Sequence, residues 1–180
     1  MTPAQCRAAR ALLDVTQPQL AAMSGLGLST VVDFERQRRA VSTEAAAAMQ
    51  NALERAGIAF RKGAVEMAFP AGLSAPDNLF SPIHTGQKLR GKSRLASAQI
   101  RAGRALVRWT VTDLARESAL GVNTIRRAEL SDAQTAALTA ANELAIRRAL
   151  ETAGVVFIEE NGGGPGVRLR DRRNGKPRPK

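Results

Sequence analysis

The chain has 180 residues, a formal net charge of +11, one cysteine and one histidine. A lone Cys6 closes no internal disulfide, neither a CxxC nor a His-rich spacing offers a metal site, and no apolar run approaches membrane-span length. These features exclude a disulfide scaffold, a metal centre and a membrane partner; with no signal-peptide regions at the N-terminus, they imply a cytoplasmic protein held together by packing.

Taken in chain order, Thr2 and Pro3 read as a helix start, Thr as N-cap and Pro in the first turn. Ala8, Ala9, Leu12 and Leu13 then recur at helical spacing to about Asp14. Thr16 caps a short second helix and Gln19 completes a capping box. That helix buries Leu20 and Ala21 and stops in SGLGLS, where Gly25 and Gly27 supply a tight turn. A third helix runs from Leu28 to about Arg36 with Val31 and Phe34 inward, and a longer fourth covers Thr43 to Ala56, closed by Gly57 as C-cap. The periodicity next shortens to IAFRKGAVEMAF, a β-hairpin.

Residues 70–95 have the Pro, Gly and Ser content of a linker, and His84 within it reads as solvated, since no partner residue is patterned around it. Beyond the linker the text repeats. Ala4 to Glu35 returns as Ala98 to Glu129 at a constant shift of 94, with about half the residues unchanged. ALERAGIAF ending at Phe60 matches ALETAGVVF ending at Phe157, where the shift is 97, so three residues are gained between Glu129 and Ala149. The second copy repeats the signals. Thr110 and Asp113 form its capping box, Val122 to about Leu130 its third helix with Ile125 and Ala128 inward, and about Asp132 to Ala153 its fourth, closed by Gly154. VVFIEENGGGPGVRLR is its hairpin. An isolated hairpin is marginal in water, so each should pack on its own helices or pair with a hairpin of another copy or chain. The second option makes the hairpins candidate homodimer elements.

The excess charge is unevenly spread. Residues 1–69 carry +2 and 98–170 carry +2, whereas 70–97 carry +3 and 171–180 carry +4. Flexible cations in the linker (Lys88, Arg90, Lys92, Arg94) and in the basic, disordered tail suit salt-dependent phosphate contacts without sequence information. Nothing catalytic is patterned: the serines lack a histidine base and the carboxylates are scattered. NGGGPG lies between strands, unlike a phosphate loop that opens a helix. An enzyme is therefore not expected, nor a cofactor.

LAAMSGLGLSTVVDFE and LARESALGVNTIRRAE resemble the helix-turn-helix of lambda-repressor-like, or XRE-type, DNA-binding domains. The resemblance rests on LA, a small residue, a glycine turn, a Thr/Ser-aliphatic pair and a closing Glu, and covers most of residues 1–60 and 98–170. It implies bacterial transcription regulation and double-stranded DNA as partner, with the third helix in the major groove. It also implies that Arg10 and Glu35, and likewise Arg104 and Glu129, tie the first helix to the end of the third. Base-facing positions then fall on Leu28, Ser29, Val32 and Asp33, and on Val122, Asn123, Arg126 and Arg127. Asn can read adenine and Arg guanine, so the second copy holds the donors that direct readout needs. The first copy has few: Leu28 and Val32 suit thymine methyls, and Asp33 suits only a cytosine amine. Gln17 matches the family's phosphate-contacting glutamine, which is Val111 in the second copy, and Arg36, Arg38 and Arg39 form a basic cluster beside it.

The expected fold class is mainly α. Two tandem lambda-repressor-like domains (1–69 and 96–170), each of about four helices followed by a short β-hairpin, are joined by a Pro/Gly-rich linker (70–95) and followed by a basic tail (171–180). The expected function is a sequence-specific transcriptional regulator reading a bipartite site, its half-sites about 10 base pairs apart or a multiple if both domains dock on one face. The alternative is a protein-interaction module, an antiactivator or antitoxin, whose Leu28/Val32 face docks a protein partner.

Overall fold

In the computed structural model, residues 1–68, 95–130, 138–159 and 164–170 are described. They form a mainly helical molecule with one small antiparallel sheet. The first copy contributes α1 (Pro3–Leu13), α2 (Gln17–Ser24), α3 (Leu28–Arg36), α4 (Thr43–Arg55), β1 (Ile58–Arg61) and β2 (Ala64–Met67). The second contributes α5 (Ser97–Leu106), α6 (Val111–Glu117), α7 (Val122–Glu129), α8 (Ala140–Thr152), β3 (Val155–Ile158) and β4 (Gly166–Leu169). Among the described residues no helix is long and apolar enough to cross a membrane, and no group of three or more His, Cys, Asp or Glu is placed to hold a metal.

The local signals account for the helix ends. Thr2, Thr16 and Thr110 each accept a backbone N–H from the residue three positions on, and the side chains of Gln5, Gln19 and Asp113 reach back to complete the capping boxes. Asp14 closes α1 in the left-handed region at φ 56°. The fourth helices end at Ala56 and Ala153, so Gly57 and Gly154 stand one residue beyond the caps, at φ +96° and +98°. One boundary differs from expectation: α8 begins at Ala140 and not near Asp132, because Thr139 is its N-cap and accepts from the Asn142 N–H. Its counterpart is Ser42, the N-cap of α4, at the shift of 97. The three extra residues therefore lie between α7 and Thr139. The linker at 70–94 with His84, the start assigned near Asp132 and the tail at 171–180 lie outside the described residues. Leu95, at the end of the Pro/Gly-rich stretch 70–95, belongs instead to the second half: its backbone N–H donates to the Glu143 carboxylate at 2.8 Å.

The two copies are built into each other. Cys6, Leu12, Val31 and Val65 from the first and Ile100, Leu106, Ile125 and Val167 from the second belong to one continuous apolar core. Helix α1 packs antiparallel on α5, and the contact is reciprocal. Arg7 Nε donates to the Ala105 carbonyl at 3.2 Å and Arg101 Nε to the Ala11 carbonyl at 3.2 Å. Arg7 Nη1 donates to the Glu35 carbonyl at 2.7 Å, and Arg101 Nη1 to the Glu129 carbonyl. Each arginine thus satisfies last-turn carbonyls that a helix cannot bond internally, and the exchange has the self-complementary form of a two-fold interface.

The hairpins complete this arrangement, and both options left open by the sequence are realised. Each rests on its own first helix: Gln5 Nε2 donates to the carbonyls of Arg61 and Ala64 at 3.2 Å, and Gln99 Nε2 to those of Ile158 and Gly166 at 2.9 and 3.2 Å. They also pair with each other in a sheet of order β1-β2-β4-β3, with Val65 opposite Val167 at the join. The strand that each hairpin needs is supplied by the other copy in the same chain, so a second chain is not required to complete the sheet. Gly166 is demanded by that join: a Cβ there would lie 2.6 Å from the Val65 carbonyl oxygen and 2.9 Å from the Glu66 Cα.

Candidate nucleic-acid interface

Helices α3 and α7 are held from behind by the same device. Arg10 Nε and Nη2 donate to the two Glu35 oxygens at 2.7 and 2.8 Å, and Arg104 Nε and Nη2 to those of Glu129 at 2.6 and 2.9 Å. The third guanidinium nitrogen reaches the carbonyl of the segment before the second helix, Val15 at 2.8 Å and Trp109 at 3.0 Å. Planar two-bond pairing fixes orientation as well as distance. Glu35 is 2% exposed, so its charge is tolerable only because its oxygens are bonded. It also accepts from Gln17 Nε2 at 2.7 Å and from the Cys6 thiol at 3.5 Å. Burial first, and the Glu35 carboxylate second, push the Cys6 thiol well above its ordinary range and keep it neutral.

On α7 the inward positions are Ile125, Ala128 and Glu129, all buried, and the outward ones are Asn123, Arg126 and Arg127, all exposed, with Val122 half-buried at the start. Asn123, Arg126 and Arg127 engage in no side-chain hydrogen bond or ion pair among the described residues. One turn of helix thus presents an amide and two guanidinium groups on one face. The corresponding face of α3 is different. Leu28 is 46% exposed, Ser29 is exposed, and Val32 and Asp33 are half-buried. Arg36 is exposed at the helix end, and Arg38 and Arg39 are exposed in the turn that follows.

Gln17 stands where the sequence placed it, at the first position of α2, but one of its amide N–H groups is spent on Glu35. It therefore extends the Arg10–Glu35 pair, and only its second N–H can turn outward. Val111, its counterpart, leaves Glu129 without that partner.

A cleft of about 620 Å³ lies where the copies meet, and sequence reasoning missed it. Arg7, Arg10, Arg36, Arg104 and Arg108 line it together with Trp109, against one lining carboxylate, Glu35. The kept pair Arg7/Arg101 is a signal for the copy-to-copy contact, because the same arginine stands in both copies and each donates across to the other copy's first helix. Comparison with protein-family models, with curated proteins and with solved structures finds no match to this chain.

Proposed function

We propose that the protein is a non-enzymatic, sequence-specific DNA-binding transcriptional regulator of the lambda-repressor-like, helix-turn-helix kind, in which one chain carries both DNA-reading units. The supporting observation is the exposed, unspent Asn123/Arg126/Arg127 face of α7, aimed by the Arg104–Glu129 pair. Side chains of these types form paired hydrogen bonds with adenine and guanine edges in the major groove. Because the copies meet through a two-fold-like contact but expose different residues on α3 and α7, the site is bipartite and unequal. The α7 half supplies most of the base discrimination. The α3 half, with Leu28, Ser29, Val32 and Asp33, contributes mainly position through Arg36, Arg38 and Arg39, with Gln17 bracing the helix.

Footprinting on DNA selected from a random pool tests this reading. Asn123→Ala with Arg126→Ala and Arg127→Ala should lower affinity for the selected site on the order of 100-fold or more, at ~1–3 kcal/mol per lost base contact. Deleting residues 171–180 should leave the footprint in place and make its salt dependence shallower. A footprint that survives the triple change would remove α7 from the reading role.

The exposed Leu28, together with Met23 on α2 at 37% exposure, favours a second reading in which α3 docks a protein, as an antiactivator or antitoxin would. Stable capture of one protein through this face, with no preference among DNA sequences, is the result that would favour it.

A further inference from the structure

We propose that the cleft between the copies binds a phosphate group, held by Arg7, Arg36 and Arg108 beside Trp109. The argument begins from a mismatch in charge. Arg7 Nη1 and Arg108 Nη2 both donate to one acceptor, the Glu35 carbonyl oxygen, at 2.7 and 3.2 Å. Neither arginine, nor Arg36, pairs with a carboxylate among the described residues. Two guanidinium groups are therefore held side by side on a neutral oxygen. Burial, and next the Arg108 charge, hold the Arg7 guanidinium below its ordinary value, against the opposing pull of the Glu35 carboxylate.

The opposite side of the molecule shows what this side lacks. The repeat relates Arg7 to Arg101 and Arg108 to Asp14. There, Arg101 has the Asp14 carboxylate at 3.7 Å. At the same place in the fold, one copy carries the countercharge and the other a further cation. The remaining differences run the same way. Arg36, Gln17 and Trp109 face the cleft where Leu130, Val111 and Val15 stand in the other copy. The shared scaffold does not require this charge and the described residues pair it with no carboxylate, which leaves the cleft suited to a bound anion. Arg10 and Arg104 are already spent on Glu35 and Glu129, which leaves the outward N–H groups of Arg7, Arg36 and Arg108 as donors. Three arginines lining one cleft, two of them held on a single acceptor, match the several acceptor oxygens and multiple charge of a phosphate, and 620 Å³ exceeds what one such group needs.

The phosphate can come from the backbone of duplex DNA or from a soluble phosphate-bearing ligand, and the experiment separates them. None of Asn123, Arg126 and Arg127 takes part, so the proposal can fail without the reading of α7 failing, and the reverse. Trp109 is the sole tryptophan and lines the cleft, so its fluorescence reports occupancy. The full chain is titrated with inorganic pyrophosphate at constant ionic strength, and separately with a random-sequence duplex across a salt series. Three proteins are compared: the native chain, Arg36→Ala with Arg108→Ala, and Arg55→Ala with Lys62→Ala, which removes equal charge from exposed positions away from Trp109. A pyrophosphate response that weakens about tenfold or more only in the cleft variant assigns a soluble ligand. No pyrophosphate response, with a salt slope for DNA that falls by about two only in the cleft variant, assigns the DNA backbone. If the cleft variant and the charge control behave alike in both titrations, the proposal is overturned.

Discussion

The first and second halves share a scaffold and differ in what they expose. Gln5 and Gln99 hold the hairpins, Arg7 and Arg101 join the copies, and Arg10–Glu35 and Arg104–Glu129 brace α3 and α7. Around these matched bonds the surfaces part: α7 shows Asn123, Arg126 and Arg127, and α3 shows Leu28, Ser29, Val32 and Asp33. The difference separates two demands on the chain. A buried polar group must find its partner in each copy, since an orphaned one costs about 1–3 kcal/mol. An exposed side chain carries no such constraint, and single exposed substitutions usually fall within about 0.5 kcal/mol. Divergence has accumulated where folding permits it.

The largest effect should come from breaking the matched braces. Glu35→Ala and Glu129→Ala each strand an arginine, at about 3–5 kcal/mol for a buried pair that loses one partner. Glu35→Ala should cost more in urea denaturation, because Gln17 and Cys6 also bond to Glu35. An equal or greater loss from Glu129→Ala would contradict the asymmetry drawn between the two networks.

A smaller effect sharpens the same contrast in the core, where Cys6 stands opposite Ile100 in the repeat. The folded thiol is pushed up by burial and by Glu35, so the native state favours its neutral form. That contribution is complete below the unfolded thiol's pKa of about 8.5 and is lost as pH rises from there toward the folded value, by up to ~1.4 kcal/mol per pH unit. Cys6→Ala should flatten the alkaline slope of stability, measured by denaturation at a series of pH values. An unchanged slope would assign it to other groups.

The smallest effect on stability, yet the most informative for function, should come from making the surfaces equal. Leu28→Val, Ser29→Asn, Val32→Arg and Asp33→Arg copy the face of α7 onto α3. The exposed changes Leu28→Val and Ser29→Asn should each alter stability by about 0.5 kcal/mol or less, and those at the half-buried Val32 and Asp33 by about 1 kcal/mol. Sites selected from a random pool should then shift from unequal halves toward inverted repeats. Selection of the same unequal sites as before would mean that α3 does not read DNA.

Much of this was legible in the sequence because its causes are local. Capping boxes span three residues, and the Arg–Glu pairs repeat at a fixed spacing of 25. What escaped depends on contacts between the copies. The hairpin text of each copy specifies two strands but not the β2–β4 pairing, which Gly166 permits only once both hairpins stand on α1 and α5. The α8 boundary was misplaced because Asp132 and Thr139 are both fair N-cap residues. Projecting Ser42 forward by the shift of 97 would have chosen Thr139. The cleft escaped because Arg108 and Trp109 carry no motif, and they gain meaning only beside Arg7 and Glu35 across the copy boundary.

The continuous sheet from β1 to β3 bears on how the protein responds to its own abundance. Two halves that meet within one chain assemble by a first-order event, with the effective concentration set by the connecting segment and not by the number of molecules present. Dilution does not pull β2 from β4, whereas a regulator assembled from two chains dissociates as its level falls. A regulator of this construction would therefore occupy its site in simple proportion to its amount, and its dose response would lack the steepness that dimerisation adds at low abundance.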